Sequence, residues 1–404
     1  MNMRTHAWVY PCALALLILH TASATAQSQQ AVDRELKQNA WLLDQLKSRE
    51  ESAGDIEERV FNVEEKVGDR ALVKAFDAVE LDLGGFLTQA FSVVHGENNT
   101  EYSPNFTQLE LLFRANVADK WSLFSAIGFL READIDVSDA ESPFFRAGAN
   151  RTPLIISWMN YRHSDALQLR AGRFVAPHGI INIEHFPPSL LDTNQPQFLR
   201  PFPGSTIFPN FMNGIQAHGR VFVGQNKSNF IEYSAYGAFH DPAPDKVLTG
   251  ARVAYGHKDS GVTFGLNYAH GSRESGASPA GSFTAVPVRS SVANRYDTVG
   301  GDILIDKGRF LWKTEGFYSF ENDEEDRWTF YTQPSVRLHD QWVAFYRYDL
   351  LDPGQGLDRS SEHVFGLNYL PFPIVRLRGA VFLRDFDNGR DNVLLSQLSA
   401  TISF

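Results

Sequence analysis

Apolar and polar residues alternate with a period of two over most of the chain after Asp77. In the last stretch, 392–404, Leu394, Leu398, Ile402 and Phe404 share one face and Gln397 lies on the other. A period of two is strand geometry, because successive side chains point to opposite faces. A strand with one apolar and one small, polar face fits a wall between hydrocarbon and water.

This pattern recurs upstream often enough to predict about 16 strands, although the phase of residues 153–163 is ambiguous. The connections after even-numbered strands are tight, as at 119–120, 164–165 and 258–259, whereas those after odd-numbered strands are mostly longer. Tryptophan, tyrosine and phenylalanine recur near the strand ends on the apolar phase. We therefore predict an all-β fold, a transmembrane antiparallel β-barrel over 71–404 with short turns on one side and long loops on the other.

The first 26 residues are typical of a signal peptide. Arg4 precedes an apolar core at 13–19, and Ala24-Thr25-Ala26 is a small-residue cleavage site. The one cysteine, Cys12, lies in this segment, so we expect a mature chain without disulfides or a thiol nucleophile.

Residues 27–70 have a different period, a 4-3-4-3 spacing of apolar residues with charged flanks. This spacing predicts a periplasmic α-helical coiled coil that associates with other copies, with a single helix packed on its own barrel as the alternative. The oligomerisation seam comprises Leu36, Leu43, Leu46, Val60, Val63 and Val67.

Composition excludes several classes of function. The net charge of -11 in 404 residues argues against a nucleic-acid partner. After residue 20 no run approaches the roughly 18 apolar residues of a spanning helix. The chain contains no sequence motif typical of a hydrolase or a nucleotide-binding protein, and His178, Glu184 and His185 have a spacing that matches no metal site. We therefore predict no catalytic residue, metal or cofactor.

The longest connection, at about 176–212, carries seven of the 19 prolines and five phenylalanines. Proline stiffens it and phenylalanine supplies surface to bury, so we expect a constriction loop packed inside the barrel mouth. A flexible surface loop is the alternative. Its candidate functional residues are His178, Asn182, Glu184, His185, Asp192 and Arg200.

Inward-facing basic residues outnumber inward-facing acids on the predicted strands. The pore-lining basic residues are Arg114, Arg170, Arg220, Arg252, Arg337, Arg347, Arg376, Arg378 and Arg384, with Lys313 and Arg327 on the same phase. The inward acids are Glu80, Asp82, Glu110, Glu232, Asp302, Glu315, Asp349 and Glu362. The planar fork of arginine suits carboxylate or phosphate recognition, but these residues can also pair with each other and stiffen the wall.

The segment 169–188, L-R-A-G-R-F-V-A-P-H-G-I-I-N-I-E-H-F-P-P, resembles the G-R/K-F-x-x-P-x-G stretch of the phosphate-selective-porin-like superfamily. The terminal Phe404 resembles the assembly signal of outer-membrane barrels. The resemblance implies a bacterial outer-membrane porin with the 16-stranded layout of general porins. The inner wall has no concentrated lysine cluster for phosphate selectivity, so the solute stays open.

The predicted function is that of an outer-membrane porin for passive diffusion of small anionic solutes that carry phosphate or carboxylate groups. The alternatives are a channel for aromatic or apolar acids and an envelope tether that acts through its periplasmic helix. The expected partners are outer-membrane lipid, two further copies in a homotrimer, the barrel-assembly machinery at Phe404 and the permeating solutes.

Overall fold

The computed structural model describes residues 79–95, 100–117, 120–132, 150–151, 154–199, 207–224, 227–239, 247–275, 289–290, 294–354, 359–387 and 392–404. The signal peptide and the coiled coil predicted over 1–70 lie outside the described residues, as does Arg200. In the described ranges, no helix is long and apolar enough to cross a membrane.

The described residues form one sheet of eighteen strands, of which two have only two residues each. These short strands, Asn150–Arg151 and Arg289–Ser290, pair with the ends of longer ones. The sixteen long strands are β1 Val79–His95, β2 Thr100–Val117, β3 Trp121–Glu132, β4 Leu154–Arg162, β5 Gln168–Val175, β6 Phe211–Val223, β7 Asn229–Phe239, β8 Val247–His257, β9 Val262–Ser275, β10 Asn294–Lys307, β11 Phe310–Glu321, β12 Arg327–His339, β13 Trp342–Asp352, β14 Ser360–Phe372, β15 Val375–Phe386 and β16 Val393–Ser403.

The long strands pair antiparallel in chain order, and β1 pairs with β16 to close the sheet. Two backbone hydrogen bonds extend this seam to the last residue: Gly85 N donates to Phe404 O at 2.9 Å, and Phe404 N donates to Gly85 O at 3.0 Å. The prediction of an all-β antiparallel barrel of about 16 strands is therefore confirmed.

The connections alternate in length around the barrel. Residues 258–261, 308–309, 340–341 and 373–374 make tight turns after β8, β10, β12 and β14. The connections after β3, β5 and β9 are much longer, and the longest lies between β5 and β6. We refer to the two rims as the short-turn end and the long-loop end.

The two faces of the wall differ in the way the alternation predicts. On β9, Leu266 is 74% exposed on the outer face, whereas its neighbour Asn267 is 6% exposed on the inner face. Leu81 and Ile215 are similarly exposed on the outside of β1 and β6. A closed wall with an apolar outer face can lie in the hydrocarbon of a membrane, because hydrogen bonds between its strands pair the backbone N–H and C=O groups.

Aromatic rings lie on the outer face where strands end. At the short-turn end, the ring centroids of Trp121 and Tyr161 are 4.7 Å apart, and those of Trp342 and Tyr369 are 4.5 Å apart. Tryptophan and tyrosine at strand ends form the girdle expected at a membrane–water interface.

The ambiguous phase of β4 has a structural cause. The register with β3 shifts between Ala126, which pairs with Ile156, and Ile127, which pairs with Leu154. Ile155 is the extra residue of this bulge, so Ile155 and Ile156 are both buried while Leu154 is exposed. An extra residue reverses the alternation, which a strict period of two cannot describe.

Replacing Leu266 by Arg places a charge in the outer apolar belt. We expect the barrel to lose up to about 2–4 kcal/mol of unfolding free energy, because the charge must enter hydrocarbon. Urea titration of the protein folded in lipid vesicles measures the change. Leu304→Arg is the matched control, since Leu304 lies on the inner face beside Thr263. Equal losses in the two variants would contradict the assignment of the faces.

Candidate functional site

The described residues of the connection between β5 and β6 lie inside the barrel and contact its inner wall. We call residues 176–210 the lumen loop, of which 176–199 and 207–210 are described. The backbone N–H groups of Ile180 and Ile181 donate to Glu315 Oε1 on β11, each at 2.8 Å. The N–H of Gln197 donates to Asp349 Oδ2 on β13 at 2.9 Å. These hydrogen bonds hold the described residues of the loop against the inner wall, and a constriction by this loop stays a prediction.

The glycines of the segment 172–179 have conformations that other residues rarely adopt. Gly172 has φ of 123°, and a Cβ there would lie 2.4 Å from the carbonyl oxygen of Ser157. Gly179 has φ of 68° and lies directly against the Glu315 carboxylate. These two glycines allow the chain to leave β5 and turn onto the opposite wall.

His178 follows the same turn and is buried. Its Nε2 is 2.9 Å from the hydroxyl oxygen of Tyr236 on β7. Burial lowers the pKa of His178 to about 3, so its ring is neutral at pH 7. His178 therefore anchors the loop as an uncharged hydrogen-bonding group.

Aromatic rings fill the space between the loop and the wall. The Phe198 ring lies 5.4 Å from the Phe317 ring, and the Phe208 ring lies 5.0 Å from it, centroid to centroid. Leu191 joins a second buried cluster with Phe345 and Phe382. Burial of such side chains contributes about 1.5–3 kcal/mol each, which opposes the entropy cost of ordering the loop.

Arg347, a predicted pore-lining residue, lies in a buried ion cluster. Its Nη1 donates to Asp192 Oδ2 of the loop at 2.8 Å, and its Nη2 donates to Glu362 Oε1 at 3.1 Å. Arg384 Nη2 lies 3.1 Å from the other oxygen of Glu362. Arg347 and Arg384 face inward as their phase predicts, but they pair with acids instead of facing open water.

Arg376 and Arg378 on β15 bind backbone carbonyls of the lumen loop. Arg376 Nη1 donates to the oxygen of Leu190 at 2.7 Å, and Arg378 Nε donates to the same oxygen at 3.2 Å. Arg378 also donates to the oxygen of Pro187. These two arginines hold the loop against the wall.

Three further candidate residues of the loop lie in its described part, and each contacts a neighbouring group. Asn182 Nδ2 donates to the oxygen of Ala176 at 2.7 Å, and Glu184 pairs with Lys313 of β11. The His185 ring packs on the rings of Phe186 and Phe211.

A cavity of about 700 Å³ remains beside the loop, at the short-turn end. The loop contributes Pro177, Ile183, His185 and Phe186 to its lining, and the wall contributes residues of β3 to β8 together with Asp165 of the turn between β4 and β5. Three of the predicted basic residues line it: Arg170, Arg220 and Arg252. Arg114 and Arg337 are exposed and do not line this cavity.

Sequence reasoning missed the residues that give the loop and the cavity their geometry. Glu315 was predicted to face inward but had no assigned role, although its carboxylate receives two loop amides and the Tyr331 hydroxyl. Trp158 lies in the bulged strand, where the alternation gave no reliable phase. A carboxylate in the middle of an inner face is the one sequence signal that could have identified Glu315.

Comparison of the chain with protein-family models and with curated proteins finds no match. Among solved structures, the fold is similar to that of an anion-selective porin from Comamonas acidovorans, with a TM-score of 0.56, 12% identity, and coverage of 81% of this chain and 100% of that chain. The fold is also similar to that of OmpT of Vibrio cholerae in its trimer form, with a TM-score of 0.52, 9% identity, and coverage of 81% of this chain and 100% of that chain. Salmonella typhi OmpF has a TM-score of 0.52 and 10% identity, with coverage of 81% of this chain and 99% of that chain. The chain has the 16-stranded barrel fold of bacterial outer-membrane porins.

Replacing Glu315 by Ala removes the acceptor for the Ile180 and Ile181 amides. We expect these two amides to exchange with deuterium about tenfold faster or more, because each loses its acceptor and a buried donor without a partner costs about 1–3 kcal/mol. Hydrogen exchange with mass spectrometry, on the folded protein in detergent, measures the rates. Glu315→Gln keeps an acceptor oxygen and should have a smaller effect, while the Gln197 amide should be unaffected. Unchanged exchange at 180–181 would show that Glu315 does not hold the loop.

Proposed function

We propose that the protein is a channel in the bacterial outer membrane for passive diffusion of small anionic solutes that carry a carboxylate or phosphate group. The observation that carries this proposal is a closed barrel, apolar outside and polar inside, with a loop folded into its lumen and a cavity left beside that loop. The proposal assigns no catalytic residue, metal or cofactor.

The dimensions of the barrel support a channel. Sixteen strands about 4.8 Å apart and tilted by about 40° give a circumference of about 100 Å and a diameter of about 32 Å. Wall side chains alone cannot fill such a lumen, so its interior is open to water except where the loop fills it. The loop therefore sets the width of the path beside it.

The proposed placement in the cell follows from the two rims. Short turns face the periplasm in bacterial outer-membrane barrels, and long loops face outward. We propose that 1–26 directs export, that 27–70 forms a periplasmic coiled coil, and that Phe404 binds the barrel-assembly machinery. The trimer form of the Vibrio cholerae neighbour supports a homotrimer in outer-membrane lipid as part of this proposal.

Anion preference is supported by the basic residues that do not hold the loop. Arg114 is exposed on the inner phase of β2, and the Arg220 side chain, although it pairs with Glu232, is 47% exposed at the cavity, so its loss would leave the Glu232 carboxylate uncompensated there. A low-dielectric wall focuses the field of such charges on the solute path. The anion-selective porin among the structural neighbours is consistent with this preference.

Replacing Arg114 and Arg220 together by Gln should shift the channel from anion preference toward neutral or cation preference. The two charges lie on the inner face and anchor no part of the described loop, so we expect folding to persist. The zero-current potential of a planar bilayer under a tenfold KCl gradient measures the shift. Arg309→Gln is the control, because this exposed residue lies in the turn between β10 and β11, where salt screens charge over about 8 Å.

A wild-type channel that already prefers potassium would refute the anion preference and leave a general channel. Absence of any conductance would refute the channel itself and favour the envelope tether.

Replacing Leu43 and Leu46 by Asn should weaken self-association of the 27–70 helix, because amides would replace leucines in the apolar seam. Sedimentation equilibrium of the 27–70 peptide measures its oligomeric state. The control is the double variant Gln38→Asn, Gln45→Asn. Both of its positions lie outside the seam, so its self-association should be unchanged. A wild-type peptide that stays monomeric at high concentration would contradict the coiled coil.

A further inference from the structure

We propose that the cavity beside the lumen loop is a binding site for a monocarboxylate with a flat apolar body, such as an aromatic acid. This inference rests on the proposed channel function and names its solute class. The arrangement that carries it is one arginine without an acidic partner, set among aromatic and aliphatic side chains.

Arg170 on β5 supplies the positive charge. Its guanidinium carbon lies 4.3 Å from the centroid of the Trp158 ring, and Nη1 donates to Gln216 Oε1 at 3.1 Å. Among the described residues no carboxylate forms an ion pair with Arg170, and its Nε–H has no acceptor. A guanidinium fixed in plane by stacking presents a fork that matches the two oxygens of a carboxylate.

The other charged groups of the cavity are paired. Arg220 forms an ion pair with Glu232, and Arg252 binds Asp302 through two hydrogen bonds of 2.6 and 3.1 Å. Asp165, in the turn after β4, pairs with Arg162, the last residue of that strand.

The two histidines of the cavity also have neighbours. His218 Nε2 lies 2.8 Å from Asn160 Oδ1, and His185 packs on Phe186 and Phe211. Among the lining residues that the structure describes, the positive charge of Arg170 therefore remains uncompensated, which matches a single negative charge on the solute.

The apolar part of the lining comes from both sides. On the wall, Phe124 and Trp158 are stacked with centroids 5.4 Å apart. On the loop, Ile183 is 46% exposed although it lies inside the barrel, and Phe186 lies near it in the lining. Apolar surface left open toward a cavity gains free energy when a solute covers it.

The size and chemistry of the cavity favour such a solute over inorganic phosphate. A volume of about 700 Å³ lies within the range of small-molecule sites and exceeds what a small inorganic anion fills. Phosphate covers no apolar surface, and its second negative charge would find no second unpaired arginine among the described residues of the lining. A carboxylate attached to a ring uses both features of the lining.

Titration calorimetry of the full-length, detergent-folded protein with benzoate tests the site without relying on conductance. We expect benzoate to bind more tightly than acetate, benzamide or inorganic phosphate. Arg170→Gln should weaken benzoate by about tenfold or more, since a charge-assisted contact is lost. Arg309→Gln removes the same charge in a turn outside the cavity and should leave the affinity unchanged.

A second variant keeps the test decisive if Arg170→Gln fails to fold. Ile183→Asn changes an exposed loop side chain and should weaken benzoate while leaving acetate unaffected. The inference is overturned if wild type binds no benzoate, if phosphate or acetate binds as tightly, or if Arg170→Gln binds benzoate like wild type. If the protein binds benzoate but shows no conductance in bilayers, the channel is refuted and the binding site is retained. If it conducts but binds no benzoate, the binding site is refuted and the channel is retained.

Discussion

The rest of the structure depends on one constraint: a wall that stands in hydrocarbon must satisfy every backbone N–H and C=O within itself. The antiparallel ladder from β1 to β16 meets it only because its first and last strands pair, out to the bonds between Gly85 and Phe404. Closure at sixteen strands gives a lumen that wall side chains cannot fill. A segment that folds inward is therefore required if the lumen is to be narrower than the barrel.

The lumen loop meets that requirement through contacts of two kinds. Buried rings such as Phe198 and Phe208 contribute hydrophobic contacts, which do not depend on direction. Directed polar contacts from Glu315, Arg347 and Arg378 fix the position of the loop. Burying a charged side chain costs free energy unless it is paired. Here each of these side chains forms a hydrogen bond or an ion pair with a polar group of the loop, which offsets that cost. The polar inner wall of the barrel thus serves as the loop's binding surface over much of its circumference.

More of the fold than of the candidate site could be predicted from the sequence. A period of two is a local property, so strand number, faces and the inward phase of Arg347 could be predicted without long-range information. Whether an inward arginine meets water or an acid depends on a residue far away in the chain, as Asp192 is from Arg347. The bulge at Ile155 shows the limit of the local rule, because one extra residue reverses the alternation along the strand and leaves the phase of Trp158 ambiguous in the sequence.

Counting inward arginines therefore overstates the charge that a solute meets. Arg347 and Arg384 are neutralised by Asp192, Asp349 and Glu362, and Arg376 and Arg378 are occupied by loop carbonyls. In the proposed channel, selectivity depends on the charge that remains after the loop has bound, and Arg170, Arg220 and Arg252 carry such charge beside the cavity. If the protein is the proposed channel, the loop affects permeation in two ways: it narrows the lumen, and it binds some of the arginines that would otherwise face the solute.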